Sequence, residues 1–219
     1  RAAFFGLYAL QHRGQESAGI ATADGNQIRV RTSMGLVAHS FQEDDLKRLP
    51  GHISIGHTRY STLGSSQLRN AQPVISKSSD IELALAHNGN VVNAPELRRE
   101  LTDWGCVFST TSDSEIVAHL LSYAPGFSWA ERIAYCMRKL QGAYSLTVLT
   151  KSELIAIRDP LGVRPLCIGK IDDGWVVASE TCALDHVGAE YVREVKPGEA
   201  ILVDDKGLHT IYQKNPERQ

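Results

Sequence analysis

Long apolar runs are missing from this chain. None reaches the roughly 18 residues that a membrane-spanning helix needs, so no membrane span is expected. An excess of positive charge is missing too. Twenty-three Lys and Arg stand against 25 Asp and Glu, a net charge of −2, and nothing in that balance favours nucleic acid or an anionic membrane as partner. Cysteine is scarce: Cys106, Cys136, Cys167 and Cys182 form no C-x-x-C pair and lie at no short metal-ligand spacing from histidine. A disulfide framework is not expected in 219 residues with so few, and the plain reading is buried, reduced thiols in a cytosolic protein. The G-x-S-x-G, P-loop, G-x-G-x-x-G and H-E-x-x-H signatures are all absent, as are internal repeats, low-complexity tracts and long linkers. There is no initiator Met or signal peptide before Arg1-Ala2-Ala3, and the polar "QKNPERQ" closes the chain, so both ends read as cut from something longer.

What is present is an ordinary globular composition, 42% hydrophobic and 22% charged, enough for a substantial core in one domain. Residues 2–10 carry a helical apolar pattern through Phe4, Phe5, Tyr8 and Leu10 that breaks at Gly14. Residues 18–23, 27–32, 35–38 and 53–58 read as strands separated by turns, and "IELALA" at 81–86 reads as a buried strand. Three helix starts follow. Asn93 with Pro95 and Glu96 predicts a capped helix showing Leu97, Leu101 and Trp104, stopped by Gly105. Ser112 with Glu115, and Ser128 with Glu131, have capping-box spacing. After residue 143 the pattern is almost all strand. Two strand-rich regions flanking central helices predict an α+β fold of two stacked sheets with helices outside.

The polar segments admit plain readings one at a time. In "LAHNGNVVN" (85–93) the dipeptide Asn88-Gly89 is the commonest hairpin signal, so a tight turn ending the strand is favoured. The alternative is that a side-chain amide and a backbone N–H are aimed at a ligand. Glu115 and His119, four apart on one helix face, read as a solvated pair, since no third metal ligand is near in sequence. "AILVDDKG" (200–207) has the apolar strand and paired acids of a ribose-gripping segment. It resumes a strand pattern at Leu208 instead of opening a helix, so a hairpin turn is expected. Arg13 and Arg59 fit surface arginines, Asp113 fits the positive end of its helix, and "DPLG" (159–162) fits a turn.

Taken together and in order, "LQHRGQESAGI", "GHTRYST", "LAHNGN", "STTSDSE", "QGAYS", "RDPLGVRPL", "ASETCALD" and "VREVKPGE" resemble the glutaminase domain of class II glutamine amidotransferases. Within them they are most similar to the branch that acts on phosphoribosyl pyrophosphate. The resemblance implies a four-layer αββα sandwich of the N-terminal nucleophile hydrolase type, with residues 1–219 as one glutaminase domain. It implies that Asn88 and Gly89 form an oxyanion hole, that Arg59 grips the glutamine α-carboxylate, and that Asp113 binds its α-ammonium. Tyr60 and Thr62 lie on the segment that closes over bound glutamine, and Arg13 and Gly14 belong to a segment near the nucleophile. Leu63 departs from the small or hydroxyl residue usual in that segment.

The nucleophile implied is an N-terminal cysteine, and none stands at Arg1, so the chain as written is expected to be inactive and to lack its first strand. A phosphoribosyltransferase domain is expected after residue 219. The resemblance implies no metal or cofactor in this domain, magnesium with phosphoribosyl pyrophosphate in the full-length enzyme, and leaves open an iron–sulfur cluster there. Glutamine and the chain's own transferase domain are the implied partners, in a cytoplasmic homo-oligomer, with neither nucleic acid nor membrane. Two other readings stand beside this one: the glutaminase domain of a different class II amidotransferase, or a glutamine-binding module without a nucleophile.

Overall fold

The computed structural model describes residues 1–60 and 67–214. Along the chain come α1 (Ala2–Ala9), β1 (Ser17–Ala23), β2 (Ile28–Met34), α2 (Val37–Ser40), α3 (Glu43–Lys47), β3 (Ile53–Arg59), β4 (Val74–Lys77) and β5 (Glu82–Val91). Three helices follow, α4 (Ala94–Asp103), α5 (Asp113–Tyr123) and α6 (Trp129–Lys139). Then come β6 (Gly142–Leu149), β7 (Leu154–Arg158), β8 (Cys167–Ile171), β9 (Gly174–Ala178), α7 (Thr181–Val187), β10 (Glu190–Glu194), β11 (Glu199–Asp204) and β12 (Gly207–Gln213).

The architecture is four layers, α/β/β/α. One layer is a six-stranded sheet of order β12-β11-β7-β6-β5-β4, antiparallel throughout. The second contains two three-stranded pieces, β2-β1-β3 and β10-β8-β9. Between the layers Ala21, Ala23 and Ile55 meet Ala84, Ala86 and Leu149, and Ile168 and Val195 meet Ala156 and Ile201. Small and β-branched side chains suit this interior, because strands buried on both faces must approach closely. The helices α4, α5 and α6 cover the outer face of the large sheet through Leu97, Leu101, Val117, Leu120, Leu121 and Ile133. The opposite surface is covered by α1 and α2 over β1 and by α7 over β8 and β9.

Several local expectations change. Strand β5 does not stop at Asn88-Gly89. It runs on to Val91, paired with β6 from Ala84↔Leu149 to Val91↔Gly142, so the hairpin reading is wrong. Gly89 makes this possible: its φ is +157°, and a Cβ there would come within 2.0 Å of the Ala143 carbonyl oxygen. Residues 35–38 form no strand, because Gly35 (φ +100°) breaks β2 and α2 begins at Val37. The strand-rich C-terminal region also contains α7. In α1 the buried residue is Leu7, while Phe5 and Tyr8 are exposed. Asn93 does not cap its helix; its side chain donates to the Lys139 carbonyl and accepts from Gln141 N–H, fastening α4 to the start of β6. Ser112 accepts from Glu115 N–H, but Glu115 does not return the bond. Its carboxylate is buried and accepts from the N–H and hydroxyl groups of Ser109 and Thr110. His119, also buried, lies against Ser76 (2.9 Å), so the Glu115–His119 pair is part of the core and not solvated.

The Ser128–Glu131 box and the Asp204–Gly207 hairpin form as expected. Ser128 accepts from Glu131 N–H while Glu131 accepts from Ser128 N–H and Phe127 N–H. Ser128→Ala should therefore destabilise the domain by about 1 kcal/mol. Urea unfolding monitored by circular dichroism checks this; an unchanged midpoint would show that the box adds nothing.

Candidate active site

Four segments meet at one end of the sandwich. They are the short turn Gln11–Arg13, the end of β3 at His57–Arg59, the last third of β5 and the first turn of α5. Together with Arg164, Ser179 and Glu180 they enclose a polar cleft of about 590 Å³. The sequence-predicted residues Arg13, Arg59, Tyr60, Asn88, Gly89 and Asp113 all line it. Gly14 lies behind the wall and acts through space alone: a Cβ would come within 2.6–2.8 Å of the Thr58 and Arg59 backbone. Thr62 and Leu63 lie outside the described residues.

Each side chain has a structural reason for its place. Arg59 ends β3 with its side chain 9% exposed, its guanidinium held by Glu16 at 2.7 Å. That ion pair, on β1's approach to the sheet, is a partner the sequence did not single out. Asp113 opens α5, where the helix dipole favours an anion. Its carboxylate accepts from Val91 N–H at 3.0 Å and lies 3.7 Å from His87 Nδ1. Burial pushes the Asp113 pKa up, but His87 and the Val91 N–H outweigh it and leave the carboxyl below its usual range. Arg13 pairs with Glu180, the residue preceding α7, so it ties two walls of the cleft together. Tyr60 is 70% exposed at the rim.

Asn88 differs from these. Its Nδ2 is buried and has no hydrogen-bond partner. An amide donor left unpaired inside a protein costs about 1–3 kcal/mol, so it calls for an acceptor supplied from elsewhere. Strand alternation also turns the N–H groups of residues 87, 89 and 91 toward one edge of β5. On that edge the His87 N–H is taken by Gln72 and the Val91 N–H by Asp113, with Gly89 between them.

A narrower, largely apolar groove of about 170 Å³ adjoins the cleft and shares Asn88 with it. It runs between β3 and β9, which are the facing edges of the two three-stranded pieces. Ala86, Thr147 and Leu154 of the large sheet line it, with α1 and α7 outside.

His12, Glu180 and Cys182 place three donor atoms within 4.8 Å of one another. The Glu180 carboxylate there already carries the Arg13 guanidinium, which supplies the positive charge a cation would bring. The cysteines do not gather for an iron–sulfur cluster, which takes four thiolates around one centre. Cys106 and Cys136 belong to the core under the helices and Cys167 to another cluster, and burial pushes all three thiols up.

With this geometry in view, comparison with known proteins places the chain in a class. Residues 57–186, more than half of it, match the glutamine amidotransferase domain family, and the chain belongs to that family. Among its relatives, the amidophosphoribosyltransferase of Bacillus subtilis is 45% identical over 94% of this chain and 43% of its own length. That of Archaeoglobus fulgidus is 46% identical over 100% of this chain and 48% of its own. The solved glutamine phosphoribosylpyrophosphate amidotransferase from B. subtilis, complexed with ADP and GMP, superposes with a TM-score of 0.89 at 43% identity. The match covers 95% of this chain and 45% of that one. The chain thus spans about half the length of the curated relatives it matches.

His57 provides a direct test of the site's electrostatics. Its Nε2 donates to the His87 carbonyl (3.1 Å), and burial, with His87 nearby, lowers its pKa from 6.5 to about 4. The ring is therefore neutral at pH 7. The stability it contributes is complete above pH 6.5 and is lost as pH falls toward 4, because the unfolded chain takes up the proton first. NMR titration should find this imidazole neutral down to about pH 4; a midpoint near 6.5 would contradict the burial argument.

Proposed function

We propose that this chain belongs to the ammonia-producing domain of an amidophosphoribosyltransferase, which hydrolyses the side-chain amide of free glutamine with a cysteine nucleophile that these 219 residues do not themselves supply. The observation that carries the reading is the unpartnered, buried Asn88 amide in a cleft that also holds Arg59 and Asp113. A free amino acid offers a carboxylate and an ammonium at one end and an amide at the other. Arg59 takes the carboxylate with its planar fork, and Asp113 takes the ammonium. Tyr60, at the rim, covers the bound substrate, and Arg13 with Gly14 shapes the wall beside it.

In this reading the groove between β3 and β9 receives a strand that brings an N-terminal cysteine next to Asn88. Two edges facing each other across an apolar floor support that placement, since an added strand would satisfy both. The cysteine's α-amine, with a pKa of about 7.7–8.0, accepts the thiol proton. The sulfur attacks the amide carbon, and the Asn88 side chain and Gly89 N–H stabilise the oxyanion. The C–N bond breaks, nitrogen takes the proton and leaves as ammonia, and water then cleaves the thioester to glutamate and free thiol.

Ammonia passes to a phosphoribosyltransferase domain of the same protein, which joins it to phosphoribosyl pyrophosphate as 5-phosphoribosylamine, the first committed step of purine synthesis. Magnesium belongs with the pyrophosphate substrate there, and any iron–sulfur cluster takes its ligands outside these four cysteines. The full-length protein is a cytoplasmic homo-oligomer. The relatives' shared activity supports this assignment over another class II amidotransferase.

Two predictions test the site in the full-length enzyme. Arg59→Ala and Asp113→Ala each remove a charged contact worth about 1.5–3 kcal/mol, so kcat/KM for glutamine should fall by about tenfold to a hundredfold. Wild-type kcat/KM in both would overturn the substrate assignment. Asn88→Ala should lower kcat by about 10²–10³-fold with little change in KM while the protein stays folded. A folded variant with near-normal kcat would remove the oxyanion role, as steady-state kinetics and a melting curve on one preparation would show.

A further inference from the structure

The hydrogen-bond ladder between β4 and β5 runs from Lys77↔Glu82 to Val74↔Leu85 and then ends. Continued in register, it would set Gln72 opposite His87. The intervening Pro73 has no N–H to give, and the Gln72 main chain turns away toward the other sheet. There its carbonyl presses on Gly19 of β1, where a Cβ would come within 2.0 Å of the oxygen. The Gln72 side chain takes the place of the missing backbone. Its Oε1 accepts from His87 N–H at 2.7 Å, and its Nε2 donates to the His87 carbonyl at 3.3 Å. Both residues are buried.

This amide clamp holds the peptide groups on either side of His87, and the second of them leads into Asn88. The orientation of that peptide decides where the Asn88 side chain leaves the strand. The His57 ring also donates to the His87 carbonyl, at 3.1 Å, so Gln72 shares the hold on that peptide and alone among the described residues holds the His87 N–H, while on the opposite edge Asn88 pairs with Ser145 of β6. The His87 ring reaches from the same clamped residue to the first turn of α5, 3.3 Å from Ser114 Oγ and 3.7 Å from the Asp113 carboxylate.

We infer that Gln72 is a positioning residue for glutamine hydrolysis, acting through Asn88 by serving as a one-residue strand against His87. The inference rests on the proposed oxyanion role of Asn88. Gln72 borders the cleft, but both polar atoms of its amide are taken by the His87 backbone, so its loss should change the transition state more than the binding of glutamine.

The test is a double-mutant cycle in the full-length enzyme. Gln72→Met keeps length and volume but removes both hydrogen bonds. It should lower kcat by about tenfold to a hundredfold, the usual effect of a misplaced catalytic group, and change KM for glutamine less than threefold. In an Asn88→Ala background the same substitution should lower kcat less than twofold, which a merely structural contribution would not reproduce. Gln72→Glu, which retains the acceptor for His87 N–H and loses the donor, should fall between wild type and Gln72→Met, and it carries the test if Gln72→Met does not fold. A folded Gln72→Met enzyme with full kcat, or an equal loss in both backgrounds, overturns the inference. Near-normal kcat in Asn88→Ala alone would instead overturn the glutaminase mechanism on which it rests.

Discussion

The constraint on which the rest depends is that β5 must be a core strand and a wall of the cleft at once. Its first half is buried between β4 and β6 and packed on both faces. Its last four residues keep β6 on one side after β4 has ended on the other. A strand with one open edge presents rigid donors at fixed spacing, because the paired side removes its freedom. Gly89 is the residue that permits this, since any side chain there would strike the Ala143 carbonyl. If Asn88 and Gly89 serve as the proposed oxyanion donors, the loss of entropy in placing them is met during folding, not during the reaction.

Charge is arranged around that edge so that Asp113, Arg59 and Arg13 each have a partner. Asp113 sits at a helix start with the Val91 N–H and His87 beside it, Arg59 is matched by Glu16, and Arg13 by Glu180. Buried charges without such partners would be costly, and breaking one pair strands the other member. The unpaired groups are therefore informative. The Asn88 amide nitrogen is buried without a partner, the basis of its proposed role, whereas the His57 imidazole is kept neutral by its surroundings and serves as a fixed donor to the strand.

The layered fold was largely legible in local pattern. Strands from 17 to 59 and from 142 to 213 and helices from 94 to 139 follow hydrophobic period and turn chemistry. What failed did so for nameable reasons. Asn-Gly reads as a turn when judged alone, yet pairing with β6 pulls it into a strand. Asn93 has the chemistry of a cap, but Lys139 and Gln141, nearly fifty residues away, claim both ends of its amide. Glu115 and His119 read as solvated because burial depends on which helix face meets the sheet.

The sequence by itself determined the class of chemistry. Its polar segments carry an arginine, an aspartate and an Asn-Gly pair in an order that matched the amidotransferase family before any coordinate was known. Only the tertiary structure decided which groups stand together. Glu16, Gln72, His87 and Glu180 carry no signal of their own in a one-dimensional pattern. Their partners Arg59, Arg13 and Asp113 are between 26 and 167 residues distant, or, for Gln72 and His87, 15 apart across the end of a ladder. The physical reason is range. Hydrophobic period and capping act over a few residues and are written locally, whereas a cleft is made by non-local strand pairing, and its contacts exist only once the sheets have stacked.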